Sequence, residues 1–293
     1  MAQVVLSNGI NIEYDTMGDP SNPTLLWIMG FTAQMTAWDE NFLKMYVDRG
    51  FHVVRFDNRD CGLSYKHDGV MVETDKVTMQ AAMGETVTVP VPYTLSDMAA
   101  DAIGVLDHLG IEKAHVIGAS MGGMIAQTVA IEHGHRVKSL TSIMSVSGDP
   151  AYGQSQPEAL EALLAPPPES REEYIEGSKR WLVWQSKKHG DVQVNRERAA
   201  REFDRMFYPE GASRQLAAIY ASGRRNEQLA QIKVPTLVMH GLDDTLLDVS
   251  GGKHTAELIP NARLLLVEDM GHDVPEPLWP MFVDEISKHA RQV

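Results

Sequence analysis

The stretch Lys113–Ala130, KAHVIGASMGGMIAQTVA, decides the fold. Its first half is a short apolar run typical of a buried strand. Its second half, from Met121 onward, has apolar residues at helical spacing. Between the two halves, GASMG at residues 118–122 has the pattern G-x-S-x-G, in which the glycines let a strand and the next helix pass close together. The stretch therefore predicts a sharp strand-to-helix turn that lifts the hydroxyl of Ser120 clear of a sheet.

The composition indicates an ordinary globular protein, with 43% hydrophobic and 23% charged residues among 293. Lys plus Arg number 26 against 40 Asp plus Glu, and the resulting net charge of −14 repels phosphate backbones and anionic lipid surfaces. We therefore expect neither a nucleic acid nor a membrane as partner. No signal peptide is visible, the most apolar run (Thr24–Met29) is too short to span a bilayer, and the single Cys61 cannot form an internal disulfide. A cytoplasmic protein is the expectation.

Strand and helix patterns alternate along both ends of the chain. An Asn-Gly turn predicts a hairpin between residues 2–6 and 10–14. Further strands are predicted at 25–29, 52–56, 114–118, 137–144, 234–240 and 263–267, with helices at 39–49, 94–109, 252–258 and 277–291. This alternation predicts a mostly parallel central sheet flanked by helices, built from residues 1–145 and 232–293. Residues 63–92 show no clear period and are expected to form a long loop.

The rhythm changes at residues 146–231, where we find four helical patterns and no convincing strand. A helical insert inside a strand–helix alternation predicts a helical cap, or lid, over the carboxyl ends of the strands. The alternative is a helical subdomain that packs for stability alone.

A serine hydroxyl needs a base within hydrogen-bond reach and an acid that orients the base. On a strand–turn–helix scaffold, these partners follow in the order Asp or Glu, then His, at the carboxyl ends of later strands. The predicted strand 234–240 leads into Asp243 and Asp244, and the strand 263–267 leads into a loop that contains His272. Both loops fall at the edge where open α/β sheets bind ligands. The sequence therefore predicts that Ser120 and His272 act together with an aspartate.

Two backbone N–H groups are predicted to stabilise a developing oxyanion. Met121 is the first residue of the helix that follows Ser120, so its N–H has no acceptor within that helix and can bind an anion. The second donor is expected from the loop after the first buried strand, which places the N–H of Phe31 opposite that of Met121.

The remaining histidines fit structural positions, with one exception. His67, in the long loop, is the one rival base; the others lie at strand ends, at a helix end or on surface helices (His52, His115, His133, His135, His240, His254 and His289). No two histidines have the helical i, i+4 spacing of a metal site, so we expect neither a metal nor a cofactor.

Five motifs together resemble the α/β-hydrolase superfamily: GASMGG at 118–123, MGFTAQMTAW at 29–38, FDNRDCGLS at 56–64, HGLDD at 240–244 and MGHD at 270–273. The match covers nearly the whole core and is weak in the insert. It is nearest to bacterial serine esterases similar to aclacinomycin methylesterase, with cofactor-free haloperoxidases as cousins. The resemblance implies a triad of Ser120, Asp244 and His272, with Phe31 and Met121 as oxyanion donors. Two positions depart from the pattern, because Met29 replaces a histidine and Asp60 replaces a glycine.

The expected function is hydrolysis of a small-molecule carboxylic ester through an acyl-Ser120 intermediate. The predicted mouth is apolar, which favours uncharged substrates; it comprises Phe31, Met35, Trp38, Met121, Met270, Trp181 and Trp184. Trp38, Trp181 and Trp184 are the candidate substrate contacts, although all of these side chains could instead fill the core. A perhydrolase or cofactor-free haloperoxidase, a C–C bond or amide hydrolase, and a non-catalytic small-molecule binding protein remain alternatives. No pattern in the sequence indicates an oligomeric state.

Overall fold

The computed structural model describes residues 1–293 and contains one eight-stranded sheet. The strands are β1 (Ala2–Val5), β2 (Asn11–Met17), β3 (Thr24–Ile28), β4 (His52–Phe56), β5 (Ala114–Ala119), β6 (Val137–Ile143), β7 (Thr236–Gly241) and β8 (Arg263–Val267). Their spatial order is β1-β2-β4-β3-β5-β6-β7-β8. The β1–β2 and β2–β4 pairs are antiparallel and all others are parallel. The predicted N-terminal hairpin and mostly parallel sheet are both confirmed.

The chain has eleven α-helices, five of which lie in the insert between β6 and β7. They are α1 (Glu40–Val47), α2 (Thr74–Ala82), α3 (Leu95–His108), α4 (Met121–Glu132), α5 (Pro157–Leu163), α6 (Arg171–Gly177), α7 (Val192–Arg205), α8 (Gly211–Ser222), α9 (Asn226–Leu229), α10 (Ser250–Leu258) and α11 (Trp279–Ala290). Short 3₁₀ helices lie at Met35–Ala37, Gly134–Arg136, Ser178–Val183 and Glu276–Leu278. None of the helices combines the length and the apolar content that a bilayer span requires.

The core lies in two layers, one on each face of the sheet, because successive side chains of a strand point to opposite faces. In β3, Leu26 and Ile28 pack into the layer that contains α3 and α4. Leu25 and Trp27 pack into the layer that contains α1 and α11. Every residue of β3 is buried, which is why this strand reads as a continuous apolar run rather than as an alternating one.

Two expectations about helices are wrong. Residues 63–92 are not helix-free, since α2 lies within them and packs against α8. Only Val77 of α2 is fully buried, so the sequence of this helix carries no apolar stripe. The insert between β6 and β7 contains five α-helices and a 3₁₀ helix rather than four helices, because its shortest helices have too few turns to show a period.

The glycines around Ser120 let α4 cross the sheet at close range. A Cβ at Gly118 would overlap the carbonyl of Gly122, and a Cβ at Gly122 would overlap the carbonyl oxygen of Ile28. Real Cβ atoms do not approach backbone oxygens that closely, so the tight passage of β5, β3 and α4 depends on these two positions.

We expect Gly122→Ala to lower the free energy of unfolding by about 2 kcal/mol or more, because the added methyl overlaps rigid backbone. Gly134→Ala is the matched control, since a Cβ there meets no atom within 4 Å; its effect should stay within about 0.5 kcal/mol. Urea unfolding of the two variants measures both values. Equal losses would contradict the steric account of the turn.

Candidate active site

Ser120 lies in the turn between β5 and α4 with a left-handed backbone, φ 56° and ψ −123°. Such a conformation is costly for a non-glycine residue and persists only where the surroundings impose it. Here the N–H of Ser120 donates to the carbonyl of Ile143 at 2.9 Å. The carbonyl of Ser120 accepts a 2.8 Å bond from the hydroxyl of Ser145. The predicted strand-to-helix turn is therefore present, and it carries a half-buried serine at the carboxyl edge of the sheet.

Asp244 and His272 form a direct pair at the same edge. Oδ2 of Asp244 lies 2.7 Å from Nδ1 of His272. Its Oδ1 accepts the N–H groups of Leu246 and Leu247, each at 2.9 Å. Three hydrogen bonds, shared between both oxygens, therefore fix the carboxylate in place. A carboxylate bound to Nδ1–H leaves Nε2 as the ring nitrogen that can accept a proton.

The electrostatics of Asp244 favour its ionised form. Burial alone would raise the pKa of this carboxyl group, but the attraction of His272 and hydrogen bonds from His240 and His272 outweigh it and lower the pKa to about 2. Asp244 is therefore a carboxylate at every pH at which the protein would work, so it can orient the His272 ring and stabilise its cationic form.

The adjacent acidic residues point elsewhere. Asp243 is half-buried, and its Oδ1 lies 3.5 Å from Nζ of Lys187. Oδ1 of Asp248 accepts the N–H of Ser250 at 2.9 Å, at the start of α10. Asp244 is thus the acid that contacts His272, in agreement with the register implied by the superfamily motif.

The structure brings the serine and the histidine loop to one edge of the sheet without joining them by a hydrogen bond. β5, β7 and β8 are parallel and all end at that edge, which places Ser120, Asp244 and His272 after neighbouring or nearly neighbouring strands. The hydroxyl of Ser120 makes no hydrogen bond to His272 here. Such contacts are often long in ligand-free sites and tighten only when substrate is bound.

The N–H groups of Phe31 and Met121, the two predicted oxyanion donors, have no hydrogen-bond acceptor within the protein. Neither the N–H of Phe31 nor that of Met121 donates to any backbone carbonyl outside the regular elements. A Cβ at Gly30 would lie 3.2 Å from Cβ of Ser120 and 3.7 Å from its Oγ, so the loop that carries Phe31 runs beside the serine. Met29 stands where the superfamily pattern has a histidine. The backbone here is nevertheless held, because the carbonyl of Met29 accepts a 2.8 Å hydrogen bond from the buried side-chain amide of Asn58.

His240 is a contact of Asp244 that the sequence did not indicate. Its Nε2 lies 2.7 Å from the carbonyl of Leu247 and 3.4 Å from Oδ2 of Asp244. A carbonyl only accepts, so Nε2 carries the proton, and the buried Nδ1 has no partner. His240 therefore lies at the end of its strand, as the sequence predicts, and also contacts the carboxylate of Asp244. The signal was its position four residues before Asp244.

The insert between β6 and β7 contacts the histidine loop directly. The N–H of His272 donates to the carbonyl of Trp184 at 2.6 Å. The N–H of Ser186 donates to Oδ1 of Asp273 at 3.0 Å. On the acid side, the hydroxyl of Thr245 donates to the carbonyl of Val183 at 2.7 Å. The insert therefore supplies backbone partners to both loops that follow β7 and β8.

Two of the predicted substrate contacts, Trp181 and Trp184, lie in the insert. Trp181 is half-buried and packs edge-on against Tyr174, with the guanidinium of Arg198 above its ring at 5.5 Å. Trp184 is also half-buried, and its carbonyl holds the histidine loop as described above. Trp184 thus contacts the loop of His272 through its backbone, whereas Trp181 packs against other residues of the insert.

Trp38 is not at the mouth of the site. It is 3% exposed and packs against Trp27 and Phe42, with ring centroids 4.8 and 6.3 Å apart. Three methionines that we expected beside it are also fully buried: Met35, Met121 and Met270. These four side chains fill the core, so we leave Trp38 out of the substrate site.

His67, the one rival base, and His289 both have partners other than Ser120 and Asp244. His67 packs edge-on against Tyr65 and at a tilt against Tyr93, with ring centroids 5.0 Å apart in each pair. His289 is not on the surface as expected, since it is 4% exposed and its Nε2 lies 3.1 Å from the carbonyl of Leu140. Burial lowers the pKa of both imidazoles, which favours their neutral forms. No group of three His, Cys, Asp or Glu side chains is arranged to hold a metal ion.

Comparison with known proteins agrees with this geometry. The sequence model of the alpha/beta hydrolase fold matches residues 23–276. The chain is 25% identical to rhodomycin D methylesterase of Streptomyces peucetius, in an alignment that covers 99% of this chain and 98% of that protein. It is also 25% identical to a putative non-heme bromoperoxidase of Mycobacterium tuberculosis, over 90% of this chain and 91% of that one. A solved meta-cleavage product hydrolase from Pseudomonas fluorescens superposes with a TM-score of 0.77 at 18% identity, covering 100% of this chain and 98% of that one.

Proposed function

Because this chain belongs to the α/β-hydrolase fold family, we propose that it is a serine hydrolase that cleaves carboxylic esters through an acyl-Ser120 intermediate. The observation that carries the proposal is the Asp244–His272 pair, 2.7 Å apart, at the sheet edge that also holds the strained Ser120. A buried carboxylate that fixes Nδ1 of an imidazole beside a serine turn is the arrangement that activates a hydroxyl nucleophile.

The proposed reaction has two halves. Oγ of Ser120 attacks the ester carbonyl while Nε2 of His272 accepts the hydroxyl proton. The N–H groups of Phe31 and Met121 stabilise the tetrahedral oxyanion. As the C–O bond breaks, His272 returns the proton to the leaving alcohol, and the acyl group stays on Ser120. Water then attacks the acyl-enzyme with His272 again as base, which releases the carboxylic acid and restores the serine.

The substrate class follows from the relatives and from the cap. The rhodomycin D methylesterase aligns over nearly its whole length, so methyl esters are the first substrates to test. We propose that the cap contributes the half-buried indole ring of Trp184, whose backbone carbonyl contacts the loop of His272. Such rings favour uncharged acyl or alkyl groups over charged ones.

The test is a panel of p-nitrophenyl esters of rising acyl length, together with methyl esters of aromatic acids, with Ser120→Ala as the inactive control. Turnover that vanishes in the control supports the proposal. A wild-type protein that turns over no ester, yet reacts with a fluorophosphonate probe, would point to another acyl or C–C substrate on the same triad. A protein that neither hydrolyses nor labels would be a non-catalytic binding protein.

A cofactor-free haloperoxidase is the second candidate, because the bromoperoxidase relative aligns over 90% of the chain at the same identity as the methylesterase. The same triad would form an acyl-enzyme that hydrogen peroxide, instead of water, attacks to give a peracid. Peroxide-dependent bromination in acetate buffer, compared with ester turnover by the same preparation, separates the two activities.

We expect the two cap tryptophans to respond differently to truncation. Trp184→Ala should change the preference between short and long acyl chains by about tenfold, the low end of the effect of one methylene group in an apolar pocket. Trp181→Ala should instead lower the melting temperature with little change in preference, because Trp181 packs within the cap against Tyr174 and Arg198. Chain-length profiles and thermal melts of both variants provide the measurement. Uniform losses for every ester in Trp184→Ala would contradict a substrate contact.

A further inference from the structure

The loop that carries the oxyanion donor is held by a cap residue that no motif indicated. The N–H of Thr32, the residue after Phe31, donates to Oε1 of Gln215 at 2.8 Å. Nε2 of Gln215 donates to the carbonyl of Arg59 at 2.8 Å. Gln215 lies on α8 and is 0% exposed. A single buried amide therefore joins the oxyanion loop and the turn after β4 to the cap.

The Phe31–Thr32 peptide needs this restraint. Thr32 has φ 55°, a left-handed conformation that is a strained one for a β-branched residue. Its hydroxyl bonds back to the carbonyl of Phe31 at 2.8 Å, and its carbonyl accepts a 3.2 Å bond from the thiol of Cys61. Gln215 is the acceptor of the one remaining group, the N–H. Without it, the peptide beside the donor could relax toward ordinary φ values and turn the N–H of Phe31 away from Ser120.

The position of Gln215 is itself fixed by its neighbour on α8. The guanidinium of Arg214 makes two bonds to the carboxylate of Asp60, at 2.8 and 3.0 Å. The hydroxyl of Tyr93 donates to the same carboxylate at 2.7 Å. Arg214 and Asp60 are both buried, so their bidentate pair has a defined geometry. Asp60, which stands where the superfamily usually has glycine, thus anchors the helix that presents Gln215.

We infer that Gln215 is a positioning residue for the oxyanion hole, which it orients from the cap by holding the N–H of Thr32 next to the donor Phe31. The inference rests on the proposed serine-hydrolase function. It also gives the cap a role beyond covering the substrate, since the oxyanion loop reaches its working conformation only with α8 in place.

The test compares Gln215→Met with Gln215→Glu. Methionine matches glutamine in length but accepts no hydrogen bond from Thr32, so kcat should fall by about 10- to 100-fold. The upper end of this range equals the smallest loss seen when one oxyanion donor is removed, about 100-fold. KM for a p-nitrophenyl ester should change little. The inhibition constant of a trifluoromethyl ketone, which forms a hemiketal oxyanion with Ser120, should rise by a similar factor. A glutamate keeps an acceptor for Thr32, and burial beside the Arg59 carbonyl favours its protonated form, so Gln215→Glu should recover most of the loss.

Ser222→Ala is the matched control on the same helix. Oγ of Ser222 accepts the N–H of Leu95 at 2.9 Å, so this change removes a cap–core bond that does not touch the oxyanion loop. It should lower the melting temperature while kcat and the inhibition constant stay at wild-type values.

Several outcomes would overturn the inference. One is a Gln215→Met variant with wild-type kcat and inhibitor affinity. Another is that Ser222→Ala also loses kcat and inhibitor affinity, and that in both variants the loss scales with the decrease in melting temperature. If Gln215→Met does not fold, Gln215→Asn, whose amide is one methylene too short for both bonds, must show the same loss. An inactive wild-type protein would refute the proposed function and this inference together, whereas an active one with unaffected Gln215 variants refutes the inference alone.

Discussion

Ser120→Ala is expected to fold like the wild-type protein and to lose a factor of about 10⁴–10⁶ in ester turnover, the usual cost of removing the nucleophile of a triad. The hydroxyl makes no hydrogen bond that supports the turn, which is held instead by the backbone of Ser120. Alanine also adopts its backbone angles at no greater steric cost than serine. The loss should therefore appear in kcat rather than in the melting temperature. Steady-state kinetics and labelling by a fluorophosphonate probe measure it.

Ser145→Ala is the control for this prediction. The hydroxyl of Ser145 donates to the carbonyl of Ser120 at 2.8 Å, so its removal disturbs the same turn without removing the nucleophile. We expect this variant to label with the probe and to keep activity within about tenfold of wild type, the scale of one lost supporting bond. If Ser120→Ala kept a tenth of wild-type turnover, the serine would not be the nucleophile and the proposed mechanism would fall.

The sequence predicted the features that depend on short local patterns: the turn at Ser120, the residues that follow each strand, and the parallel sheet. The G-x-S-x-G turn requires glycines within two residues of Ser120, so its steric requirement can be read from five letters. The order of Ser120, Asp244 and His272 follows from the placement of each residue after a strand, and strand patterns are local as well. The alternation of strands and helices likewise predicted the parallel sheet, whose crossover connections leave few other topologies.

The features that the sequence did not predict depend on contacts between distant segments. Gln215 lies 183 residues from Thr32, and nothing in the apolar pattern of its helix marks it as a partner of that loop. The helix α2 buries one side chain fully, so its sequence resembles that of a loop. Trp38 ends the motif that carries the predicted oxyanion donor, and we expect it at the mouth of the site. Its side chain instead packs into the aromatic cluster around Trp27. Proximity in sequence to a catalytic motif does not distinguish a substrate contact from a core residue.

Asp244→Asn is expected to lose about 10⁴ in kcat at neutral pH with the fold intact, because an amide can hold His272 in the wrong tautomer. The carboxylate of Asp244 only accepts, so it fixes the proton on Nδ1 and leaves Nε2 as the base. An asparagine NH₂ in the same place donates to Nδ1, so the ring proton moves to Nε2. A protonated Nε2 cannot accept the hydroxyl proton of Ser120.

Asp243→Asn is the matched control at the adjacent position. Its side chain faces Lys187 at 3.5 Å, and an exposed pair of this kind contributes at most about 1 kcal/mol, so kcat should fall by less than about tenfold. Steady-state kinetics on the two purified variants decide between the aspartates. An inactive Asp243→Asn beside an active Asp244→Asn would mean that the loop after β7 turns by one residue during catalysis. If neither variant loses much activity, the carboxylate 2.7 Å from His272 is not what orients it in the working enzyme, and an acid from another strand, or Asp248 released from the start of α10, must take that role.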